Sequence, residues 1–551
     1  MLFNFSFTQK KQKRTKWNCP IDLCFFYLFL LTFSLEIRKV VWFLPIKNTF
    51  NEYNGTYIYL SDLFLFFTIL PWIVLILNNE KSYLSIKASS FFTYWKKRNN
   101  ALNLNIFFIP LVLFFWSLFS AFWSENKIIS LYRSGKFFEL YLLFLYVTLR
   151  FFPYCWMSIK KKSILTNKQE FPINLNEHKN QLVSRETSLE NFEQEKLIIS
   201  KIHLFFRAIL FGLLFIGLFD HYLWDIWQGQ ILFWMTMGVL FGNFLYAKNK
   251  NANGSYLKIP TKDSNNQLLN SNRITKYNTI PFFAFINLFI FMGTSQAIIG
   301  IIQFFRQSSL GLFWLKESLI SEKIAGVAKI IVNQHPLIRA YGLFPHPNIF
   351  AGFLFFLIML TILYRNLFHV KQRKTSFFIY IILVIEIFAL ILSFSKSAIL
   401  ALLLAILYVN VSRETLSAKY KSVIMAKIKP FKLTLLLITL LGTAFFILHF
   451  LKVDFYTLFI KSLNERYLYF FISKQTILNS PLIGIGEGQF ITNATKTFPN
   501  LETWQYQPVH NIFLLIWSEW GIIGLVLFIL FLWKLFHIEP MNKIKNSKNI
   551  K

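Results

Sequence analysis

The sequence predicts an all-α integral membrane protein with about twelve transmembrane helices. Hydrophobic residues make up 55% of the 551 residues and charged residues only 15%, and the mean hydropathy is +0.46. Apolar runs near the length needed to cross about 30 Å of hydrocarbon recur along the whole chain. Polar segments rich in Lys, Arg and Asn separate them. A soluble chain of this length carries more charge and shorter apolar runs.

The distribution of charge gives these helices an orientation. The predicted spans are 20–35, 57–78, 101–123, 137–153, 203–220, 230–247, 281–304, 348–364, 376–392, 397–411, 433–450 and 511–534. Five loops rich in Lys and Arg fall on the side that also holds both termini: 81–98, 160–201, 248–276, 365–374 and 413–432. By the positive-inside rule, both termini are cytoplasmic in a multi-pass protein of the cytoplasmic (inner) membrane.

Loop lengths divide the chain into segments. We predict N-terminal membrane helices 1–4 in 1–156, a helical hairpin in 203–247, a membrane core in 281–534 and a basic cytoplasmic tail in 535–551. The polar segments 157–202 and 248–280 are predicted cytoplasmic loops. The core holds two long extracytoplasmic loops, 305–347 and 451–510, and loops of this length often carry function.

Other protein classes fit the composition less well. The net charge of +32 is typical of nucleic-acid binding, but the basic residues lie in alternate loops and not on one soluble face. The three cysteines, Cys19, Cys24 and Cys155, are too scattered for a disulfide framework or a metal site. The first apolar run lacks a small-residue cleavage site, so we expect an uncleaved signal anchor.

Three polar patches are predicted on the outer side. The first, 339–348, leads directly into the eighth span, and the second, 393–397, is the turn between the ninth and tenth spans. The third, 508–511, opens the twelfth span and follows the glycine-rich segment 481–488. Spans eight, ten and twelve all run inward, so the N-termini of all three helices face outward with unpaired N–H groups and partial positive charge.

Basic side chains join these helix ends. Arg339, Lys396 and Arg466 make the outer face a predicted anion site that suits a pyrophosphate. Pro347 fits the first position of a helix, and Asn348 or Ser395 is a candidate cap. Each feature also has a structural interpretation, since Pro-Asn pairs usually start helices, Gly-X-Gly runs are usually turns, and interfacial histidines usually lie at the surface. Only their combination on one face favours a site.

Glu519 lies inside the twelfth span, where an ionisable side chain suggests function. It follows His510 by nine positions, about 13.5 Å along a straight helix and half a turn out of phase. We therefore predict that Glu519 does not orient His510 but hydrogen-bonds a neighbouring helix, with Gly521 and Gly524 allowing close approach.

Four blocks resemble a known family. The run RAYGLFPHPNIFAGFL (339–354) is similar to the Arg-x-x-Gly-x-x-x-His-Pro-Asn block of O-antigen ligases and related polymerases. SFSKSA (393–398) resembles their Ser-x-Ser-Arg-Ser-Ala turn, with Lys396 in place of the usual Arg. NSPLIGIGEGQF and VHNIFLLIWSEWGIIGL resemble their glycine loop and their last helix, which opens with His-Asn. The blocks occur in family order over about 281–534, and LFSAFWSENKIISL (118–131) resembles an early span.

This resemblance implies a GT-C-type membrane glycosyltransferase that uses a polyprenyl-pyrophosphate-linked glycan and needs no cofactor or metal. It implies that His510 is the catalytic base and that Arg339 binds the donor pyrophosphate. We expect His346, Lys396 and Arg466 to assist donor binding, with Asn348, Ser395, Gly484, Gly486, Asn511 and Glu519 in supporting positions. Activity is expected to decline as His510 is protonated.

The acceptor stays open at this point. A lipid acceptor makes the protein a ligase of lipopolysaccharide or cell-envelope biosynthesis, a second lipid-linked repeat makes it a polysaccharide polymerase, and Ser or Thr makes it a protein O-oligosaccharyltransferase. A transporter of lipid-linked glycans fits less well, because we find no inverted repeats and no broken helices in the sequence, and the charged candidates cluster at one face instead of the midplane.

One segment departs from the family order. GLFDHYLWDIWQGQILFW (217–234) resembles a hairpin that follows the last helix in relatives, but here it precedes the core. From sequence alone, this position leaves the roles of Asp220 and His221 unassigned.

Overall fold

The computed structural model describes residues 20–77, 101–152, 198–253, 281–368, 373–419 and 462–537, together with positions 442, 454 and 460. The helices, numbered α1 to α13, are Ile21–Thr32, Leu60–Leu77, Ala101–Ser120, Lys127–Tyr146, Ile198–Gly217, Trp227–Asn253, Pro281–Arg306, Pro347–Phe368, Arg373–Leu392, Lys396–Lys419, Ser462–Asn479, Phe490–Thr497 and Ile512–Phe536. A π-helical turn, Val147–Phe151, continues α4, and a short helical turn, Tyr222–Asp225, precedes α6.

Among the described residues, five helices are long and apolar enough to cross a membrane: Leu60–Leu77, Ile198–Gly217, Phe285–Arg306, Pro347–Leu367 and Ile512–Phe536. Shorter apolar helices are Ile21–Thr32, Ile106–Ser120, Phe377–Leu392 and Lys396–Val411. Each predicted span except 433–450 overlaps a helix, and 433–450 lies outside the described residues apart from position 442. The described parts of the chain therefore form an α-helical, multi-pass membrane protein. Most of the predicted loops 157–202 and 248–280 and of the predicted tail 535–551 also lies outside the described residues. The described parts 198–202, 248–253 and 535–536 belong to helices, so these helices extend into the predicted loops and tail.

The helices differ in how much apolar surface they bury. In α8, 89% of the most apolar stretch of the helix is buried inside the protein, against 28% in α2. Large side chains of α2, such as Phe66 and Leu70, are exposed, as expected of a helix that faces lipid. Helix α8 therefore lies at the centre of the bundle, and its first residues are held by neighbours on several sides.

Two β-hairpins lie beyond the helix ends. Strand β1 (Arg38–Phe43) pairs antiparallel with β2 (Gly55–Tyr59), and β3 (Lys329–Val332) pairs antiparallel with β4 (His335–Ile338). In the first hairpin, Arg38 lies opposite Tyr59. Its loop reaches the segment before α13, where Lys47 Nζ donates to the carbonyl of Leu501 at 2.7 Å. This places the first hairpin at the same end of the bundle as the start of the last helix.

Helix α13 is interrupted by a kink at Gly521, which has a φ of 67°. The glycine-rich segment 481–488 packs into this kink: Ile485 N donates to Ser518 O at 3.0 Å, and Gly486 N donates to Glu519 O at 2.9 Å. A Cβ on Gly484 would lie 2.3 Å from the Glu519 carbonyl oxygen. The segment therefore satisfies carbonyls freed by the kink, and only glycine permits this approach.

Candidate active site

Two of the predicted patches are joined by direct hydrogen bonds. Arg339 Nε donates to the carbonyl of Ser393 at 2.6 Å, and Ala340 N donates to the carbonyl of Leu392 at 3.0 Å. The start of α8 and the turn before α10 therefore lie side by side, as the sequence pattern predicts.

Arg339 also begins a chain of contacts that crosses the site. Its Nη2 donates to Asn348 Oδ1 at 2.7 Å, and Asn348 Nδ2 donates to Asp220 Oδ2 at 2.8 Å. Asn348 thus joins a guanidinium to a carboxylate. Its side chain makes these contacts instead of capping the helix, as was expected from sequence. His346 takes the capping position instead, because its Nδ1 accepts from Asn348 N at 3.2 Å.

Asp220 belongs to the segment whose role the sequence left unassigned. Asp220 Oδ1 accepts from the backbone N–H of His221 at 2.9 Å, and His221 Nδ1 lies 2.9 Å from both carboxylate oxygens of Asp225. The ring of His221 meets that of His510 edge to face, 4.9 Å between centroids. The segment after α5 therefore contributes a carboxylate–histidine pair to the site, which no spacing in the sequence reveals.

His510 is fixed in one orientation by its surroundings. Its Nδ1 lies 3.2 Å from the carbonyl of Pro508, and because a carbonyl only accepts, Nδ1 carries the proton and Nε2 holds a lone pair. Its ring stacks on Tyr469 with centroids 5.0 Å apart and planes 10° apart. Among the described residues, none is hydrogen-bonded to Nε2, so this nitrogen remains open to a substrate hydroxyl.

The electrostatic surroundings keep His510 neutral. Burial lowers the pKa of its imidazole to about 3, and the neighbouring His221, Arg466 and His346 act in the same direction, against Asp220. The expected loss of activity on protonation of His510 therefore lies far below neutral pH. The imidazole is an available base across the physiological range.

The pKa shifts of His221 and Asp220 favour their charged forms, whereas that of His510 favours its neutral form. Burial disfavours the His221 cation, but the Asp225 carboxylate, with Asp220, outweighs burial and raises the His221 pKa above its usual value. Burial also disfavours the ionised Asp220, but His221, His510 and His346 and the Asn348 hydrogen bond outweigh burial and lower the pKa of its carboxyl. The pKa values of two adjacent imidazoles are thus shifted in opposite directions, since the surroundings favour the cation of His221 and the neutral form of His510.

The predicted cations form one cluster. Arg339, Lys396 and Arg466 are close enough for their charges to disfavour one another. Burial, followed by the charge of Arg466, lowers the pKa of Arg339 to about 10, so this guanidinium remains charged at neutral pH. We call Arg339, Lys396 and Arg466 the cationic cluster. Its mutual repulsion is relieved when an anion binds.

His346 lies beside this cluster as a neutral donor. Burial, with the charge of Arg339, lowers the pKa of its imidazole to about 4. Since Nδ1 accepts from Asn348 N, the proton of the neutral ring is on Nε2. His346 can therefore donate one hydrogen bond to an anion in the cluster.

The remaining supporting residues are mainly structural. Asn511 caps α13, because its Oδ1 accepts from Phe513 N at 2.9 Å and Leu514 N at 3.0 Å. Ser395 precedes the first residue of α10. Gly484 and Gly486 lie at the α13 kink and not at the cationic cluster. Glu519 Oε1 accepts from Phe490 N, at the start of α12, at 3.2 Å, so its carboxylate reaches a neighbouring helix.

Comparison with known proteins supports the resemblance stated from sequence. Residues 379–529 match the family model of the O-antigen ligase, a segment that contains Lys396, Arg466, His510 and Asn511. Neither a curated protein nor a solved structure matches the chain. Over this segment the chain is similar to the O-antigen ligase and O-antigen polymerase superfamily, whose members are glycosyltransferases or ligases of polysaccharide biosynthesis.

Proposed function

We propose that the protein transfers a glycan from a polyprenyl-pyrophosphate donor to an acceptor hydroxyl at the extracytoplasmic face of the cytoplasmic membrane. The observation that carries this proposal is the position of a neutral His510, with an open Nε2, beside the cationic cluster. A base and an anion site in one partly buried space are the two groups that transfer from a pyrophosphate donor requires.

The leaving group is held by positive charge. Arg339, Lys396, Arg466 and the N-termini of α8 and α10 stabilise the pyrophosphate as its bond to the sugar breaks. Arg339 is already oriented by Ser393 and Asn348, so little reorganisation accompanies binding. His346 Nε2–H adds one donor.

The acceptor is activated by His510. Its Nε2 takes the proton of the acceptor hydroxyl as the oxygen attacks the anomeric carbon, and the pyrophosphate leaves with the electron pair of the bond to the sugar. Attack opposite the leaving group inverts the anomeric configuration. No metal is required for this sequence of steps, because the charge on the leaving group is met by side chains and helix ends.

The His221–Asp225 pair has a distinct role in this proposal. Its cation lies between His510 and Asp220 and adds to the positive potential at the site, while Asp225 fixes the ring. This cation also opposes protonation of His510. The pair therefore keeps the base neutral without becoming the base.

The three classes of acceptor inferred from the sequence all agree with this mechanism. A lipid acceptor corresponds to a ligase, a second lipid-linked repeat to a polymerase, and a Ser or Thr side chain to a protein O-oligosaccharyltransferase. In all three, the chemistry at His510 and the cationic cluster is the same.

A reconstituted system tests the proposal. The purified protein in liposomes is given a lipid-linked glycan and an acceptor glycolipid fraction, with and without EDTA. We expect a new glycosidic bond with inverted anomeric configuration, released polyprenyl pyrophosphate, and the same rate in EDTA. Movement of the intact donor across the bilayer without a new bond would indicate a transporter instead.

Orientation is tested separately with reporter tags. Tags after Lys419 and at the C-terminus are expected to report the cytoplasm, and a tag near Lys496 the outside. A cytoplasmic signal near Lys496 would place His510 in the wrong compartment and contradict the proposal.

A further inference from the structure

The loop between α7 and β3 exposes a group of large apolar side chains. Phe313 is 63% exposed, Trp314 94% and Leu319 63%. Phe313 and Trp314 belong to a short helical turn, Phe313–Leu315. Exposed apolar side chains this close together usually mark an interaction site. We call residues 309–321 the aromatic loop.

The interior of the aromatic loop is polar. The carboxyl group of Glu317 is buried and accepts from Leu310 N at 2.6 Å and from Leu312 N at 2.7 Å. It also accepts from Gln303 Nε2, in α7, at 2.8 Å. Polar contacts therefore fix the path of the chain, while the large apolar side chains are exposed. A loop that folds in water has the reverse arrangement, with apolar side chains inside and polar side chains outside.

Backbone N–H groups of the aromatic loop are also paired within the protein. Leu315 N and Glu317 N both donate to the carbonyl of Leu312, at 3.0 and 3.3 Å. Ser309 N donates to the carbonyl of Ile320 at 3.1 Å. Lipid offers no hydrogen-bond partners, so a segment that enters lipid has to pair its backbone groups within the protein. The aromatic loop meets this requirement at these positions.

The aromatic loop lies at the level where a membrane helix ends. Gln303, whose side chain holds Glu317, belongs to the last turn of the span Phe285–Arg306. Large apolar side chains along one face of this span are exposed, as on a lipid-facing surface: Phe291, Ile298, Ile302 and Phe305. The chain therefore passes from a lipid-facing helix directly into the aromatic loop, at the depth of the membrane–water interface.

Basic side chains flank the exposed aromatic rings. Arg306, Lys316 and Lys323 are exposed, against one exposed acidic residue, Glu322, within the fully described segment 306–328. Tryptophan beside Lys and Arg is typical of segments at a membrane interface, where the ring lies among the lipid headgroups and the cations reach the phosphates. The charges of the loop therefore also favour a lipid surface.

The aromatic loop is tied to the segment that carries Arg339. Gln303 Nε2 donates to the carbonyl of Gly342 at 2.9 Å as well as to Glu317. Ser318 Oγ donates to the carbonyl of Phe344 at 3.4 Å. A change in the depth of the loop is thus expected to move the segment before α8 and, with it, the cationic cluster.

From these observations we propose that the aromatic loop inserts Phe313 and Trp314 into the extracytoplasmic leaflet of the membrane and thereby sets the depth of the cationic cluster. Its exposed face contacts lipid and not a protein partner, because the loop has a polar interior and continues a lipid-facing helix. Insertion itself does not depend on the reaction. The consequence for Arg339 rests on the glycan transfer proposed above, since the pyrophosphate of a membrane lipid lies at the level of the headgroups.

Fluorescence quenching in liposomes tests the insertion. Cys19, Cys24 and Cys155 are replaced by Ser, and a nitrobenzoxadiazole label is attached to the new thiol of Phe313→Cys or of the exposed control Lys496→Cys. The liposomes contain phosphatidylcholine and phosphatidylglycerol, with or without phosphatidylcholine that carries a nitroxide near the headgroup. Iodide is the quencher in the buffer.

The two labels are expected to respond in opposite ways. At position 313 the nitroxide lipid should remove most of the fluorescence and iodide little of it, and at position 496 the reverse should hold. Quenching at position 313 by iodide but not by the nitroxide lipid would overturn the insertion. Protection from both quenchers would also overturn it, because the loop would then be covered by protein.

The buried carboxyl group provides a second test. Glu317→Gln keeps the size of the side chain but replaces one acceptor oxygen by an NH₂ group, so it cannot accept from both Leu310 and Leu312. We expect the label at position 313 to become accessible to iodide in this variant. Glu322→Gln, in the exposed turn that follows, is the matched control and should leave the quenching unchanged. Unchanged quenching in Glu317→Gln would contradict the role of the polar interior.

Two donors that differ only in chain length test the consequence for the reaction. Phe313→Ser combined with Trp314→Ser should raise KM severalfold for a long-chain polyprenyl donor in the bilayer. The KM for a water-soluble, short-chain donor should stay unchanged, because this donor is not held at a fixed depth. An equal rise for both donors would contradict control of depth. Lipid quenching at position 313 without glycan transfer by the wild type from either donor would contradict the proposed function but not the insertion.

Discussion

The cationic cluster and the region between the β1–β2 hairpin and α4 both hold basic side chains, but their partners differ. Beside the hairpin, Arg38 and Lys136 each contact two carboxylates. In the cluster, Arg339 reaches the Asp220 carboxylate only through Asn348. The number of Arg and Lys residues is similar in the two regions. The ion pairs beside the hairpin already neutralise Arg38 and Lys136, so the cationic cluster is the region better suited to bind an anion.

The largest effect is expected from Arg339→Ala. This variant removes a charge aimed at the leaving group, so transfer should fall by about 10²–10³-fold. Arg339→Lys should recover little, because Lys cannot bond to Ser393 and Asn348 and also to a phosphate. Rates with a lipid-linked donor measure both, with exposed Arg306→Ala as the control. Wild-type transfer by Arg339→Ala would show that the cluster does not bind the donor.

A smaller effect is expected from Asp225→Asn. Asp225 is the strongest partner that raises the pKa of His221, so its loss lowers that pKa and removes a positive charge beside His510. Transfer at neutral pH should fall about tenfold or more, the effect of one nearby charge. Glu322→Gln in an exposed loop is the matched control. An unchanged rate would show that the His221 cation has no part in transfer.

The pH profile distinguishes the two histidines. The pKa of His510 lies at about 3, so the base stays neutral and causes no acidic loss of activity between about pH 5 and 8. The pKa of His221 is raised, so the wild-type rate should decline as pH rises through it and the cation is lost. Asp225→Asn should move this decline to lower pH. A different result would contradict these assignments: a rate that falls as pH drops through the usual imidazole pKa, with this fall absent in His221→Ala. His221 would then be the base in place of His510.

The smallest effect is expected from Lys396→Arg. Lys396 is only half-buried, and the sequence resemblance has Arg at this position. The change keeps the charge and should leave transfer nearly unchanged, whereas Lys396→Ala should lose about fivefold, the effect of a partly exposed charge. Parallel transfer assays of Lys396→Arg and Lys396→Ala give the ratio of their rates. If Lys396→Ala and Arg339→Ala lost the same amount of transfer activity, Arg339 would not contribute more to donor binding than Lys396.

Sequence alone predicted those parts of the site that follow from local patterns. The start of α8 at Pro347 and the failure of Glu519 to orient His510 both depend on spacing within a few turns of one helix. The contact between Arg339 and the turn before α10 followed from topology, since both lie at outward helix ends.

The parts that sequence did not predict depend on contacts between distant segments. His221 lies 289 positions before His510, and only the packing of the turn after α5 against α13 brings their rings together. Likewise, sequence indicated only a turn at the glycines 484 and 486, but both pack against the kink in α13: Gly486 N donates to the carbonyl of Glu519, and a Cβ on Gly484 would meet the same carbonyl. The kink itself depends on Gly521, one of several glycines that a pattern cannot rank.

A single-turnover assay with bound donor tests whether His510 is the base in glycan transfer. His510→Ala is compared with the wild type and with His335→Ala, an exposed histidine in the β3–β4 hairpin. We expect donor binding to be unchanged in both variants and the transfer rate to fall by about two or more orders of magnitude in His510→Ala only. A folded His510→Ala protein that keeps more than about a tenth of the wild-type rate would contradict the claim.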